Sequence, residues 1–167
     1  MNDCAELRDA RPADYPAIVQ LNQESESFLS PLPLARLEVL AAQAWYHRVA
    51  CREGRIAAFL LALGPGAAYD SPNYAWFSRH RTGFVYIDRI VVAHGARKLR
   101  LASALYADLI ARAREAGVAR VNCEFDIDPP NEASRRFHEA LGFVPVGSQT
   151  VGDGTKRVSL QELLLHF

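Results

Sequence analysis

The chain has 167 residues, 50% of them apolar, and carries 19 basic (Lys+Arg) and 19 acidic (Asp+Glu) side chains. That length and apolar content suffice to bury the core of a single domain over residues 1–167. The neutral balance gives no electrostatic reason to expect nucleic acid or an anionic membrane as a partner.

Cys4, Cys51 and Cys123 are scattered and lack the paired spacing of a zinc site or a disulfide framework, so no metal is expected and a reducing compartment fits. The opening MNDCAELRDA has no apolar signal segment, and the run Ile56 to Leu63 is far too short to span a bilayer. A cytoplasmic location is therefore expected.

Leu7 to Ala10 reads as a short strand, and Pro12, Asp14, Ile18, Val19 and Leu21 mark the start of a helix and its apolar side. Asn22 to Ser30 is polar and predicts a mobile connection. A second helix is expected over Leu34 to Ala44, where Leu34, Leu37, Leu40, Ala41 and Ala44 recur at three and four residues. Tyr46 to Cys51 and Arg55 to Leu63 flank Glu53-Gly54 as two antiparallel strands around a tight turn.

Gly64 to Gly83 shows no clear periodicity and holds Tyr69, Tyr74, Trp76 and Phe77 beside Asp70 and Asn73. Loops of this length in compact domains are often functional. Two readings stand: a hydrophobic patch that packs the loop down, or a lid over a substrate, with Tyr69, Asp70 and Tyr74 as its contacts.

Phe84 to Phe143 forms the centre of the chain. Val85, Ile87, Ile90, Val91 and Val92 predict a strand, and Leu101, Leu105, Tyr106, Leu109 and Ala113 predict the helix after it. Arg97, Lys98 and Arg100 thus sit at a helix N-terminus, where unpaired amides and the positive dipole end favour an anion. On the next strand Asn122, Glu124, Asp126 and Asp128 alternate with Val121, Cys123, Phe125 and Ile127, which makes an acidic edge able to attract an amine. Cys123 fits a small core residue better than a nucleophile.

Asn131 N-caps a further helix that Gly142 ends, with Phe143 available beyond the cap. Ala133, Phe137, Ala140 and Leu141 form its expected buried stripe, and Asn131, Ser134 and His138 a polar edge. Phe143 to Val151 and Thr155 to Leu165 bracket Gly152-Asp153-Gly154 as a closing hairpin. His47, His80, His94 and His166 have no spacing that suggests a metal cluster or a triad.

Two motifs in this central stretch resemble those of the GNAT acyltransferase superfamily. Arg97-Lys98-Leu99-Arg100-Leu101-Ala102 occupies the place of its Arg/Gln-x-x-Gly-x-Gly/Ala loop, with Arg100 where the first glycine is usual. Asn131, Ser134, Phe137, His138, Gly142 and Phe143 follow its Asn-x-x-Ala-x-x-Phe-Tyr-x-x-x-Gly-Phe helix, with Ser and His at the Ala and Tyr positions. The likeness extends loosely over the chain and is strongest to small bacterial acetyltransferases.

The resemblance implies a mixed α/β fold, with a mostly antiparallel sheet, splayed middle strands and helices on both faces. It also implies acetyl transfer from acetyl-coenzyme A to a primary amine by direct attack, with no metal. Arg97, Lys98, Leu99, Arg100, Leu101 and Ala102 would hold the pyrophosphate, Ile90, Val91 and Val92 the pantetheine, and Asn131 and Ser134 would line the cofactor. His138 takes the place of the tyrosine that protonates the departing thiolate, or is a structural histidine. About a quarter of an unperturbed imidazole is protonated at pH 7.

Glu124 is the first candidate base and Asp88 the second, although structural pairing explains either carboxylate as well. Asp126 would join Tyr69, Asp70 and Tyr74 on the acceptor. That acceptor is a small-molecule or peptide amine, and a homodimer is open. The rival reading is a ligand-sensing or protein-interaction domain that keeps this fold without efficient transfer.

Overall fold

Twelve regular elements build the chain in a computed structural model that describes residues 5–166. They are β1 (Glu6–Asp9), α1 (Tyr15–Gln23), α2 (Leu34–Gln43), β2 (Ala44–Arg52), β3 (Arg55–Leu63), α3 (Pro72–His80), β4 (Phe84–Val92), α4 (Leu101–Glu115), β5 (Arg120–Asp128), α5 (Glu132–Leu141), β6 (Val144–Val151) and β7 (Lys156–Leu164). The strands follow the order β1-β2-β3-β4-β5-β7-β6 in a seven-stranded sheet. The pairs β1–β2, β2–β3, β5–β7 and β6–β7 are antiparallel and β4–β5 is parallel, the mixed and mostly antiparallel arrangement expected. Cys4 lies outside the described residues.

Two compact units divide the chain. One comprises the chain through Leu63 together with Ile87–Arg112, and the other Gly64–Tyr86 together with the chain from Ala113. In the first unit, β2 and β3 form the predicted hairpin. Its two turn residues, Glu53 (φ 51°) and Gly54 (φ 73°), are both left-handed, as a two-residue turn matching strand twist demands. Ala57 to Leu63 are all buried, which explains why β3 reads as a continuous apolar run rather than an alternating one. Ile18 and Leu21 of α1 and Leu37 and Leu40 of α2 complete this core, each contributing about 1.5–3 kcal/mol through burial.

The connection from Asn22 to Ser30 departs from the mobile segment expected. Asn22 is fully buried, its Nδ2 donates to Ser30 O at 3.1 Å, and Arg89 of β4 reaches the same pair. Polarity here reflects an internal hydrogen-bond network, which composition alone does not distinguish from solvation.

In the same unit His47 of β2 lies 6.1 Å, ring to ring, from Tyr15. Burial pushes its pKa down to about 4, against a smaller opposing pull from Asp14. The unfolded chain, with an ordinary imidazole near pH 6.5, takes up this proton first. His47 therefore contributes stability that is complete above about pH 6.5 and lost towards pH 4, on the order of 2–3 kcal/mol. Urea denaturation at pH 7.5 and pH 5 should show a larger acid loss for wild type than for His47→Gln. Equal losses would contradict the assignment.

In the second unit β6 and β7 pair around Gly152, Asp153 and Gly154, all left-handed, as the predicted hairpin. The segment Gly64 to Gly83, expected to be aperiodic, contains the helix α3. Ser71 caps it by accepting from Tyr74 N, Pro72 opens it, and Asn73, Tyr74 and Phe77 form its buried side. A Ser-Pro start was the available signal, masked by the shortness of the helix and by aromatics on both its faces. Trp76 lies against Gly147 of β6, where an added Cβ would stand 3.0 Å from its ring.

Candidate functional site

After β4 the chain makes a 3-10 turn over His94–Leu99, and Arg100 then takes the left-handed conformation at φ 57° and ψ 31° before α4 begins. Ala104 N donates to Arg100 O at 3.1 Å, so the amides of Leu101, Ala102 and Ser103 precede the first helical donor. Arg97, Lys98, Leu99 and Arg100 are exposed, whereas Leu101 is buried and Ala102 half-buried. Lys98 lies within the 3-10 turn, whereas Arg100 adopts left-handed geometry without being glycine. The cost of that conformation, about 1–2 kcal/mol, is already met in the free chain. On β4, Val91 is buried and Ile90 and Val92 are half-buried.

Asp88 does not stand as an open carboxylate. Arg89 Nε donates to Asp88 Oδ2 at 2.7 Å, and the two side chains are only 2% and 4% exposed. Arg89 Nη1 also donates to Asn22 Oδ1 at 2.9 Å and Ser30 O at 3.0 Å, and Nη2 to Ser30 Oγ at 3.2 Å. The guanidinium closes a buried knot that ties the start and end of the α1–α2 connection to β4. The Asp88 carboxylate is thus engaged in a buried ion pair, which is the structural pairing named as its alternative to a base role.

The β5 face is less openly acidic than its alternation suggests. Asn122 is fully buried and its Nδ2 donates to Glu162 Oε2 at 3.1 Å; Arg81 reaches the same oxygen at 2.6 Å and Arg120 at 3.5 Å. Burial alone would raise the Glu162 pKa, but these bonds and charges hold it below the ordinary value. Asp126 pairs with Lys156 Nζ at 3.4 Å, and Asp128 is exposed. Glu124 is half-buried and accepts the Tyr86 hydroxyl at 2.9 Å on Oε1 and 2.8 Å on Oε2. Cys123, 2% exposed, is a core residue, and burial raises its thiol well above the usual value.

On α5, Asn131 Oδ1 accepts from Ser134 N at 3.2 Å, forming the predicted N-cap. At the other end Gly142 is left-handed at φ 94°, with Gly142 N donating to Glu139 O and Phe143 N to His138 O, the paired bonds of a glycine-terminated helix. The faces are rearranged relative to expectation. Ala133 and Ala140 are exposed, Asn131 and Ser134 half-buried, and His138 is the buried residue of this helix at 3% exposure. Its ring stacks on Phe125 at 5.7 Å and meets Phe137 and Phe143 edge-on.

His138 Nδ1 lies 2.7 Å from Ser134 O, an acceptor only, so this nitrogen carries the proton. Burial lowers the His138 pKa, outweighing the Ser134 carbonyl that favours the charged form. The polar edge is corrected: His138 is buried among aromatic rings, surroundings that favour the structural reading of this histidine.

Tyr74 is 3% exposed and its hydroxyl donates to Gly64 O at 2.6 Å and accepts from Ala67 N at 2.9 Å. Tyr69, half-buried, meets it edge-on at 5.7 Å, while Asp70 is exposed. These contacts favour the packing reading for Tyr74. The cofactor-loop residues and Asp88 belong to the first unit, and Glu124, Asp126, Asn131, Ser134, His138, Tyr69, Asp70 and Tyr74 to the second. Sequence reasoning missed the Arg89 knot and the Tyr86–Glu124 pair, since long-range polar pairing leaves no local pattern. No cluster of metal-ligating side chains occurs among the described residues, and no helix there is long and apolar enough to cross a membrane.

Residues 6–143 match the model of the Acetyltransferase (GNAT) family. Among solved structures, the chain is similar to the ribosomal-protein-S18-alanine N-acetyltransferase from Escherichia coli, with 17% identity over 98% of this chain and 95% of that one and a TM-score of 0.75. It is similar also to Ard1 from Thermoplasma volcanium, at 17% identity over 98% and 99% with a TM-score of 0.80. A third similar structure is a phosphinothricin acetyltransferase from Sinorhizobium meliloti in complex with AcCoA, at 21% identity over 97% and 89% and a TM-score of 0.72. No curated protein gives a significant match. Identities this low speak to the shared fold.

Proposed function

The chain belongs to the GNAT acetyltransferase family, and from that premise we propose that it moves an acetyl group from acetyl-coenzyme A to a primary amine on a small molecule or peptide, by direct attack and in the cytoplasm. The observation that carries this reading is Arg100, left-handed at φ 57° at the start of α4, where the family motif has glycine. The loop already has the backbone turn that presents Leu101, Ala102 and Ser103 amides to an anion, and its exposed cations can pair with phosphates. These residues fit a pyrophosphate without requiring the missing glycines.

Glu124 is the base. It accepts a proton from the ammonium form of the acceptor, directly or through water, leaving a free amine. The nitrogen lone pair forms the bond to the thioester carbonyl carbon, and the carbon–sulfur bond breaks with its electron pair on sulfur. The acylated nitrogen gives up a second proton to solvent as Glu124 releases the first. The thiolate, whose thiol has an ordinary pKa of about 8.5, takes a proton from solvent. One ammonium and one thioester thus give one amide, one thiol and one released proton. His138 supplies no proton in this scheme.

Calorimetry with acetyl-coenzyme A tests the binding half of the reading. Arg100→Ala should weaken binding about 10-fold, a loss near 1.5 kcal/mol, and flatten its salt dependence. Arg100→Gly should weaken it as well, because the backbone is already shaped in the wild type and only the charge is lost. Tighter binding by Arg100→Gly would instead mean that the side chain obstructs the phosphate.

A further inference from the structure

Beyond the end of β1, the outer edge of β2 opens into a cavity of about 410 Å³, within the size range of small-molecule sites. Every residue lining it belongs to the first unit. β1 stops at Asp9, and Ala10 N donates to His47 O at 3.0 Å, so Ala44 to Tyr46 run on past the strand that pairs with the rest of β2. On the other side, Ala44 pairs with Leu63 of β3 and Tyr46 with Ala62, which leaves Trp45 as an extra, bulged residue. Bulges re-aim side chains. Trp45 lines the cavity at 36% exposure together with Tyr15 of α1, and the small side chains of Ala10, Ala41 and Ala44 leave the space.

The hydrogen-bonding groups of the wall divide into spent and unspent. Tyr46 donates to Asp108 Oδ2 at 2.8 Å, and each nitrogen of the Arg48 guanidinium has an acceptor, on Asp9, Asp108 or Leu7. Arg112 of α4 spends only Nε, 3.2 Å from Asp108 Oδ2. Among the described residues, Arg112 Nη1 and Nη2, the Trp45 indole N–H and the Tyr15 hydroxyl have no partner, and His47 Nε2 is buried without one.

The unspent groups are mostly donors, with half of a guanidinium fork among them, a set that suits a carboxylate. His47 is held neutral by burial and adds no charge. Two guanidinium groups meet Asp108, while Asp9 is 81% exposed, where solvent and salt screen it. The rings of Trp45 and Tyr15 supply flat apolar surface for a planar group.

We propose that this cavity is a second ligand site, for a small carboxylate carried on a single aromatic ring, with Arg112 binding the carboxylate and Trp45 and Tyr15 the ring. It lies apart from the loop proposed for acetyl-coenzyme A, since Arg112 is roughly 16 Å along α4 from Leu101 at 1.5 Å per residue. The assignment does not depend on acetyl transfer.

The test follows the indole N–H signals of the full chain labelled with nitrogen-15. Wild type has two tryptophans, Trp45 and Trp76, and Trp45→Phe assigns their signals. Benzoate should shift the Trp45 signal saturably and leave that of Trp76 in place. Acetate has the charge without the ring and benzamide the ring without the charge, so each should bind at least about tenfold more weakly. Arg112→Gln should weaken benzoate binding by about tenfold as well. Arg114→Gln removes an exposed arginine of α4 outside the wall and should leave the affinity unchanged. Saturating acetyl-coenzyme A should not displace benzoate. The proposal is overturned by the absence of a saturable shift at Trp45, or by acetate or benzamide binding as well as benzoate. Unaltered affinity in Arg112→Gln, equal weakening in Arg114→Gln, or displacement by acetyl-coenzyme A overturns it too.

Discussion

Glu124→Gln should lower kcat/KM for a primary amine by about 10²- to 10⁴-fold, the usual worth of a general base. The amide keeps the size of the side chain and can still accept the Tyr86 hydroxyl on its oxygen, so the fold around β5 should survive. What it cannot do is take a proton from the ammonium form of the acceptor. Raising the pH supplies free amine from solution and should recover part of the lost rate, whereas affinity for acetyl-coenzyme A should stay within about twofold. Steady-state kinetics from pH 6 to pH 10, paired with calorimetry, measures both. A variant as fast as wild type at neutral pH, with the acylation step rate-limiting, would remove Glu124 from the mechanism.

The second large effect is on stability. Arg89→Ala should destabilise the protein by about 3–5 kcal/mol, as expected when one partner of a buried ion pair is deleted. Asp88, 4% exposed, would lose its guanidinium, and Asn22 Oδ1 and Ser30 Oγ would lose their donor. Arg89→Lys should fall between the two, since an ammonium keeps the charge but cannot span Asp88, Asn22 and Ser30 with a planar fork. Urea denaturation gives the stability and amide exchange the local effect, with exchange in the Asn22 to Ser30 segment rising first. A loss below about 1 kcal/mol for Arg89→Ala would show that the knot contributes little.

These two residues also mark where sequence reading works and where it stops. The strands, the two hairpins, and the caps at Asn131 and Gly142 follow from periodicity and turn chemistry, which act within a few residues. The β5 alternation correctly places Glu124 on one side of its strand. It cannot reveal that Tyr86, 38 residues earlier, binds both carboxylate oxygens. Structural pairing of Asp88 is among the sequence readings, but its wider partners are not, because the polar Asn22 to Ser30 segment reads as a mobile connection until a 67-residue separation closes between Asn22 and Arg89.

His138 shows the opposite difficulty. Its spacing from Asn131 and Ser134 suggests a polar edge, but Phe125 and Phe143 lie on that side and make it the buried side. The alanines at 133 and 140, taken as core, are exposed. A short helix with small residues on one face and an imidazole on the other does not declare which face is buried; the neighbouring aromatic rings decide it.

Release of coenzyme A thiol from acetyl-coenzyme A, followed over a panel of primary amines and amino-terminal peptides with product masses checked, tests the central claim most directly. Amine-dependent thiol release with one acetylated product per thiol, lost in Glu124→Gln, is the predicted result. Tight acetyl-coenzyme A binding without thiol release for any amine would contradict it and identify a ligand-sensing domain on an acetyltransferase fold.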